Sequence, residues 1–274
     1  MQQQIVIIPP GHNLFEKGML MKRRHLVSAF GILLLAAGAL FAQEKPGTVA
    51  ALEFQKPKNG MVPQYEAGRK QKAAWHKQQN DPLALYVWET LSGEDTGTFI
   101  VGRLGQHWAD FDKPAVSDEA DIAEFQKVVG GYVDSVVTHY YEFLPKVSNP
   151  SDSNAPSKFS EIITFYVRYG KGSEFRSAID RISEGTQKTK WPVNYYWYVL
   201  ASGGPSGVYV LVLPRNSWAD FEEKPEVKPF RDMIKDAFGQ TEADSIIDRL
   251  DESVKEETTA IVKFRGDLSY LPGK

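Results

Sequence analysis

Residues 107–114 read HWADFDKP, and residues 217–225 read SWADFEEKP. Trp108 and Trp218 stand 110 positions apart (218 − 108). The same offset superposes Tyr86 on Tyr196, Ser92 on Ser202, Gly93 on Gly203 and Gly97 on Gly207. No gap is needed from Tyr65 and Phe175 to Asp112 and Glu222. A four-residue word in register with matching glycines is the mark of an internal duplication.

Each copy runs through the same elements. In the first, TVAALEFQK is a strand, the PKNG turn leads to a helix over residues 61–79, and LALYVWETL and TFIVGRL flank a Gly-bounded turn as a hairpin. After HWADFDKP a helix is expected from Asp118, with Ile122, Phe125, Val129, Val133 and Val136 as its apolar stripe. THYYEFLPKVS closes the copy as a strand. In the second, EIITFYVRY is the strand, residues 173–187 the helix, and NYYWYVLAS and VYVLVLP the hairpin. Two helical pieces follow, the second expected to begin after a Thr241 cap. TTAIVKFRGDLS ends the copy, its Phe264 and Ser269 echoing Phe143 and Ser148.

The order βαββαβ is the ferredoxin-like unit, in which two helices cover one face of an antiparallel sheet. YYWYVL and VYVLVL are apolar on both parities, as strands covered on both faces are. The economical cover for the second face is the other copy. The expected fold is therefore α+β, with two tandem ferredoxin-like repeats. Their antiparallel sheets pack face to face, or curl into one barrel, with the helices outside. The expected boundaries are an upstream extension plus signal peptide at 1–42, the first repeat at 43–148, a Pro/Ser/Asn linker at 149–158 and the second repeat at 159–274.

GKGSEF and SWADFE in the second copy, with HWADFD in the first, resemble the dimeric α/β-barrel superfamily, and within it the NIPSNAP-like and antibiotic-biosynthesis-monooxygenase-like modules. The resemblance covers most of residues 47–272. It implies a barrel usually built from two chains and here built within one, hence a monomer with an intramolecular pseudo-dimer. It also implies small hydrophobic or aromatic ligands. Members include cofactor-free monooxygenases, isomerases, haem-handling proteins and proteins with no known activity, so fold follows from it more firmly than function.

Polar and aromatic residues near the expected barrel are the candidate ligand contacts: Glu53, Arg103, His107, Trp108, Arg168 and Trp218. Trp108 and Trp218 are expected as hydrophobic plugs under the turn after the third strand, or as ligand contacts. Strand parity places Leu52 and Phe54 on one face, with Glu53 and Gln55 on the other. In the second copy it groups Phe165 and Val167 with the first of these faces, and Tyr166 and Arg168 with the second. A buried Glu53 and Arg168 would pair or hold a polar ligand; near strand ends they would reach water. His107 reads as a surface turn cap, a general base or, from the resemblance, a haem ligand. His139 is a further pocket candidate.

No nucleophile elbow, P-loop, dinucleotide fingerprint or HExxH occurs, and the chain has no cysteine. No cofactor or metal is called for. Three readings stay open: a non-catalytic binding or structural module with an aromatic-lined interior, a cofactor-independent monooxygenase-like or isomerase-like enzyme, and a haem binder. At the N-terminus, Lys22, Arg23 and Arg24 precede LVSAFGILLLAAGALFA and then QEKPG, the layout of a signal peptide cleaved near Ala42. Export to the periplasm or medium, without a permanent membrane anchor, is expected. Removing residues 1–42 leaves 28 basic and 34 acidic residues of the chain's 32 and 35, a net charge of −6. That balance does not suit nucleic acid.

Overall fold

The structure, a computed structural model, describes residues 46–153 and 155–273, so the expected leader and cleavage site lie outside the described residues. The first repeat comprises β1 (Val49–Pro57), α1 (Val62–Gln78), β2 (Tyr86–Thr90), β3 (Phe99–Gln106), α2 (Asp118–Val128) and β4 (Val133–Phe143). The second comprises β5 (Phe159–Val167), α3 (Gly172–Thr189), β6 (Tyr196–Ser202), β7 (Val208–Arg215), α4 (Phe230–Phe238), α5 (Gln240–Ser253) and β8 (Val254–Phe264). The expected βαββαβ order holds in both.

The boundaries follow local chemistry. Pro63 occupies the first turn of α1, where its missing N–H costs nothing. Ser117 caps α2, its Oγ accepting from the Ala120 N–H at 3.2 Å. Two boundaries differ from expectation. α2 ends at Val128, because Gly130 and Gly131 follow, and the last two members of the proposed stripe, Val133 and Val136, belong to β4. Ile122, on α2 itself, is 58% exposed. Thr241 lies inside α5; the break from α4 comes at Gly239, whose φ of 80° ends one helix before the next begins.

The strands form one closed barrel in the order β1-β3-β2-β8-β5-β7-β6-β4. Within each repeat the order is that of a ferredoxin-like sheet. Between repeats the sheets join edge to edge: β2 pairs with β8 and β4 with β6, all antiparallel. The curled barrel, rather than two separate facing sheets, is thus how each half covers the other. It also leaves no unpaired edge.

The repeated residues mark these two seams. A Cβ on Gly93 would lie 2.9 Å from the carbonyl oxygen of Thr259 in β8, and one on Gly203 would lie 2.4 Å from that of Thr138 in β4. Both glycines have positive φ, 94° and 102°. The Ser92 hydroxyl accepts from the Ile261 N–H across the first seam at 2.9 Å.

Each repeat also sends the chain beyond its last strand onto the other. The Ser148 hydroxyl accepts from the Trp197 N–H at 2.8 Å, and the Ser269 hydroxyl accepts from the Val87 N–H at 2.9 Å. Asn149 bridges to Tyr195, and Tyr270 to Leu85. The echo of Ser148 in Ser269 is this exchange of tails. Arg265 adds ion pairs to Glu66 on α1 and Glu89 on β2.

Gly93→Ala and Gly203→Ala are each expected to lower unfolding free energy by about 1–3 kcal/mol, from backbone strain plus seam contact. Gly97→Ala carries the strain alone, since its nearest atom is the Lys56 Nζ at 4.0 Å. Urea titration of the three variants checks the ranking; equal losses would remove the seam contribution.

Candidate functional site

Residues opposed in an antiparallel ladder share a face. Leu52 pairs with Gly102 and His139, and Phe54 with Ile100 and Val137, so this set points one way. Gln55 points the other way, toward α1, where the Tyr65 hydroxyl donates to its Oε1 at 2.8 Å. The first set therefore lines the barrel interior. In the second repeat Phe165 and Val167 pack with Phe175 of α3 in the helix layer, and Tyr166 faces inward. Grouping Phe165 with Leu52 was out of phase, because the offset that matches the repeats puts Phe165 on Gln55.

The interior carries two equivalent aromatic groups, one at each seam. At the first, Tyr86 and Trp88 stack at 5.5 Å, and Phe264 lies 6.2 Å from Trp88. At the second, Phe143 lies 5.4 Å from Tyr198 and 6.2 Å from Tyr196. A third group occurs only in the first repeat: His139 contacts Phe54 at 5.0 Å, and its Nδ1 lies 3.2 Å from the Tyr141 hydroxyl. Burial pushes the Tyr141 and Tyr198 hydroxyls up to about 12, and pushes His139 below its ordinary value despite the opposing pull of Asp95.

Trp88, Tyr141 and Tyr198 nevertheless keep accessible surface. They sit on the inward face of a closed barrel. Among the described residues, no hydrogen bond is formed by the Tyr198 hydroxyl or the Trp88 Nε1. Charged side chains at inward positions, Lys56 and Glu256, lie toward the end where β1 and β5 finish.

The helix layer of the first repeat sets a buried polar group beside its apolar cluster of Tyr65, Val87, Phe99, Val101, Val128 and Val129. His76 Nδ1 donates to Asp81 Oδ2 at 2.9 Å, and Arg103 Nη2 donates to the same oxygen at 2.7 Å. The Tyr270 hydroxyl donates to the Asp81 carbonyl at 2.6 Å. Lys72 Nζ donates to Asp121 Oδ1 at 2.9 Å. Burial first, then the positive charges of Lys72 and Arg103, hold His76 below its ordinary pKa; Asp121 and Asp81 pull the other way.

The six residues singled out in the sequence are dispersed. Arg103 is in this polar layer, outside the barrel. Glu53 faces the same layer and accepts from Gln55 Nε2 at 2.6 Å. Arg168 is exposed past the end of β5, its Nε donating to the Glu252 carbonyl. His107 begins a 3-10 turn over Trp108–Asp112, its side chain accepting from the Asp110 N–H while Asp110 Oδ2 accepts from the His107 N–H at 2.7 Å. Ser217 and Asp220 repeat that box, which is the local reason the word WADF recurs. Trp108 and Trp218 are 47% and 56% exposed, so neither is a buried plug. Trp108 lies on Tyr140 and donates to Glu142 Oε1 at 3.0 Å, and Trp218 lies on Phe159.

No protein-family model matches the sequence, and no curated protein matches it. Solved structures do match. A candidate monooxygenase of Lactobacillus acidophilus aligns with a TM-score of 0.50 at 9% identity, over 84% of this chain and 98% of that one. An anthrone oxidase-like protein aligns at 0.49 and 12% identity over 83% and 94%, and a haem-binding protein of Thermus thermophilus at 0.43 and 12% over 81% and 92%. At 9% identity the first of these likenesses is one of fold. The chain has the dimeric α/β-barrel architecture, closed within a single polypeptide.

The pKa of His76 in the folded chain lies below that of an unfolded histidine, about 6.5. The unfolded chain therefore takes up the proton first, so this contribution to stability is full above that pH and declines as pH falls below it. His139 acts in the same direction. Urea midpoints at pH 7 and pH 5 are expected to differ in the unmutated protein, less in His76→Gln, and least when His139→Gln is added. An unchanged difference in both variants would contradict the assignment.

Proposed function

We propose that the barrel interior is a binding chamber for a small uncharged aromatic molecule. The observation that carries this is surface left accessible on inward-facing Trp88, Tyr141 and Tyr198 within a closed barrel. Aromatic faces supply stacking, and the Tyr198 hydroxyl supplies one orienting hydrogen bond. The scarcity of inward charge favours a neutral ligand over an ion.

The contact between His139 and Tyr141 favours a second reading, a cofactor-independent monooxygenase-like or isomerase-like enzyme on such a molecule. A largely neutral imidazole beside a phenol hydroxyl suits general acid–base work. Comparing turnover by the unmutated protein and His139→Gln, at equal ligand binding, separates enzyme from binding module. Two further proposals rest on sequence and topology. Export is proposed from the basic and apolar segments over residues 22–42, with mature protein beginning at Gln43 on N-terminal sequencing. A monomer is proposed because both seams close within one chain.

Neutral 1-aminoanthracene is expected to gain emission with the protein, while an anionic naphthalene sulfonate does not. Tyr198→Phe is expected to weaken binding about tenfold, the worth of one buried hydrogen bond. Ala260→Phe, which adds a ring to the interior, is expected to abolish it. Undiminished binding in both variants would place the ligand elsewhere.

A further inference from the structure

We infer that Arg69 marks a carboxylate-binding subsite in the helix layer of the first repeat, separate from the barrel interior. Arg69 is 2% exposed, and its Nε and Nη2 are both buried without a hydrogen-bond partner. Its guanidinium lies within 4.0 Å of no described carboxylate. An arginine does not shed its proton in a protein, so this is a standing buried charge.

The surrounding groups do not neutralise it. Arg69, Lys72, Arg103 and Arg265 are the cations of this layer; Asp81 is taken by Arg103 and His76, Asp121 by Lys72, Glu66 by Arg265 and Glu124 by Lys127. Glu53, which with Arg69 influences Tyr65, is turned to Gln55. Desolvation lowers the Lys72 pKa, and Arg69 adds to that lowering.

Comparison between repeats shows that the fold does not require this arrangement. The duplication offset puts Tyr65, Arg69, Lys72 and His76 on Phe175, Ile179, Ile182 and Thr186, which form a well-buried and largely apolar helix face in the second repeat. The first repeat carries a charge cost that the second avoids.

The two unpartnered nitrogens identify the ligand class. Nε and Nη2 form one edge of the guanidinium and present two parallel N–H groups, the edge that takes both oxygens of a carboxylate. On α2 only Val128, in the last turn, is buried. Asp121, in the first turn, is 37% exposed at its side chain and is held by Lys72 at 2.9 Å, not by Arg69.

The test is thermal unfolding of the full chain in sodium formate, sodium benzoate and sodium phosphate, each against sodium chloride at equal ionic strength. Formate or benzoate at about ten times its Kd is expected to raise Tm by about 2–4 °C. Arg69→Met is expected to lose that shift and keep its fold, as Ile179 does at the equivalent position. If Arg69→Met does not fold, the Arg69 Nε–H resonance of the unmutated protein gives the reading: it is expected to move with formate and not with chloride. A shift matched by chloride, retained in Arg69→Met, or produced by phosphate but not by carboxylates would overturn the assignment.

Discussion

Everything in this molecule depends on two lines of backbone hydrogen bonding between the repeats, β2 to β8 and β4 to β6. A lone ferredoxin-like sheet of this composition would leave two open edges and one aromatic face in water. Joining edge to edge removes both problems at once. Closure also fixes the meaning of strand parity: one side of every strand faces the helices, and the other faces its own repeat and the opposite one across a common interior. The crossed tails reinforce the seams by placing Ser148 and Ser269 on the second strand of the other repeat.

Closure also sets up two chemically different environments. The interior is shared by both repeats and is aromatic at each seam, with the pair His139 and Tyr141 as its asymmetric element. The helix layers are private. That of the second repeat is packed with Phe175, Ile179, Trp197 and their neighbours. That of the first holds Gln55, Arg69, Lys72, His76 and Asp81 out of water. A polar layer of this kind is stable only where its members satisfy one another, and most do so through Asp81 and Asp121.

Much of this was legible in the sequence. Repeated Gly, Ser and Trp positions gave the duplication, and apolar runs on both parities gave the double cover. The inward face of the first strand was not legible, because Leu52-Glu53-Phe54-Gln55 alternates cleanly while Ile162-Ile163-Thr164-Phe165 is apolar at three of four places. The polar layer was missed because its partners come from distant segments: Asp81, Arg103, Asp121 and Tyr270 meet only after folding. One signal was present. Laying the first helix of one copy on that of the other sets Arg69 and Lys72 against isoleucines. Trp108 and Trp218 suggested burial by residue type; the recurring Asp of their word, which closes the turn, carries more of the local structure.

In a barrel assembled from two identical subunits, every substitution appears in both halves, and any penalty it carries is doubled. Covalent fusion breaks that coupling. One half of this molecule retains an oily helix layer and can act as the thermodynamic anchor, which leaves the other half free to explore ionisable side chains without dissolving the whole.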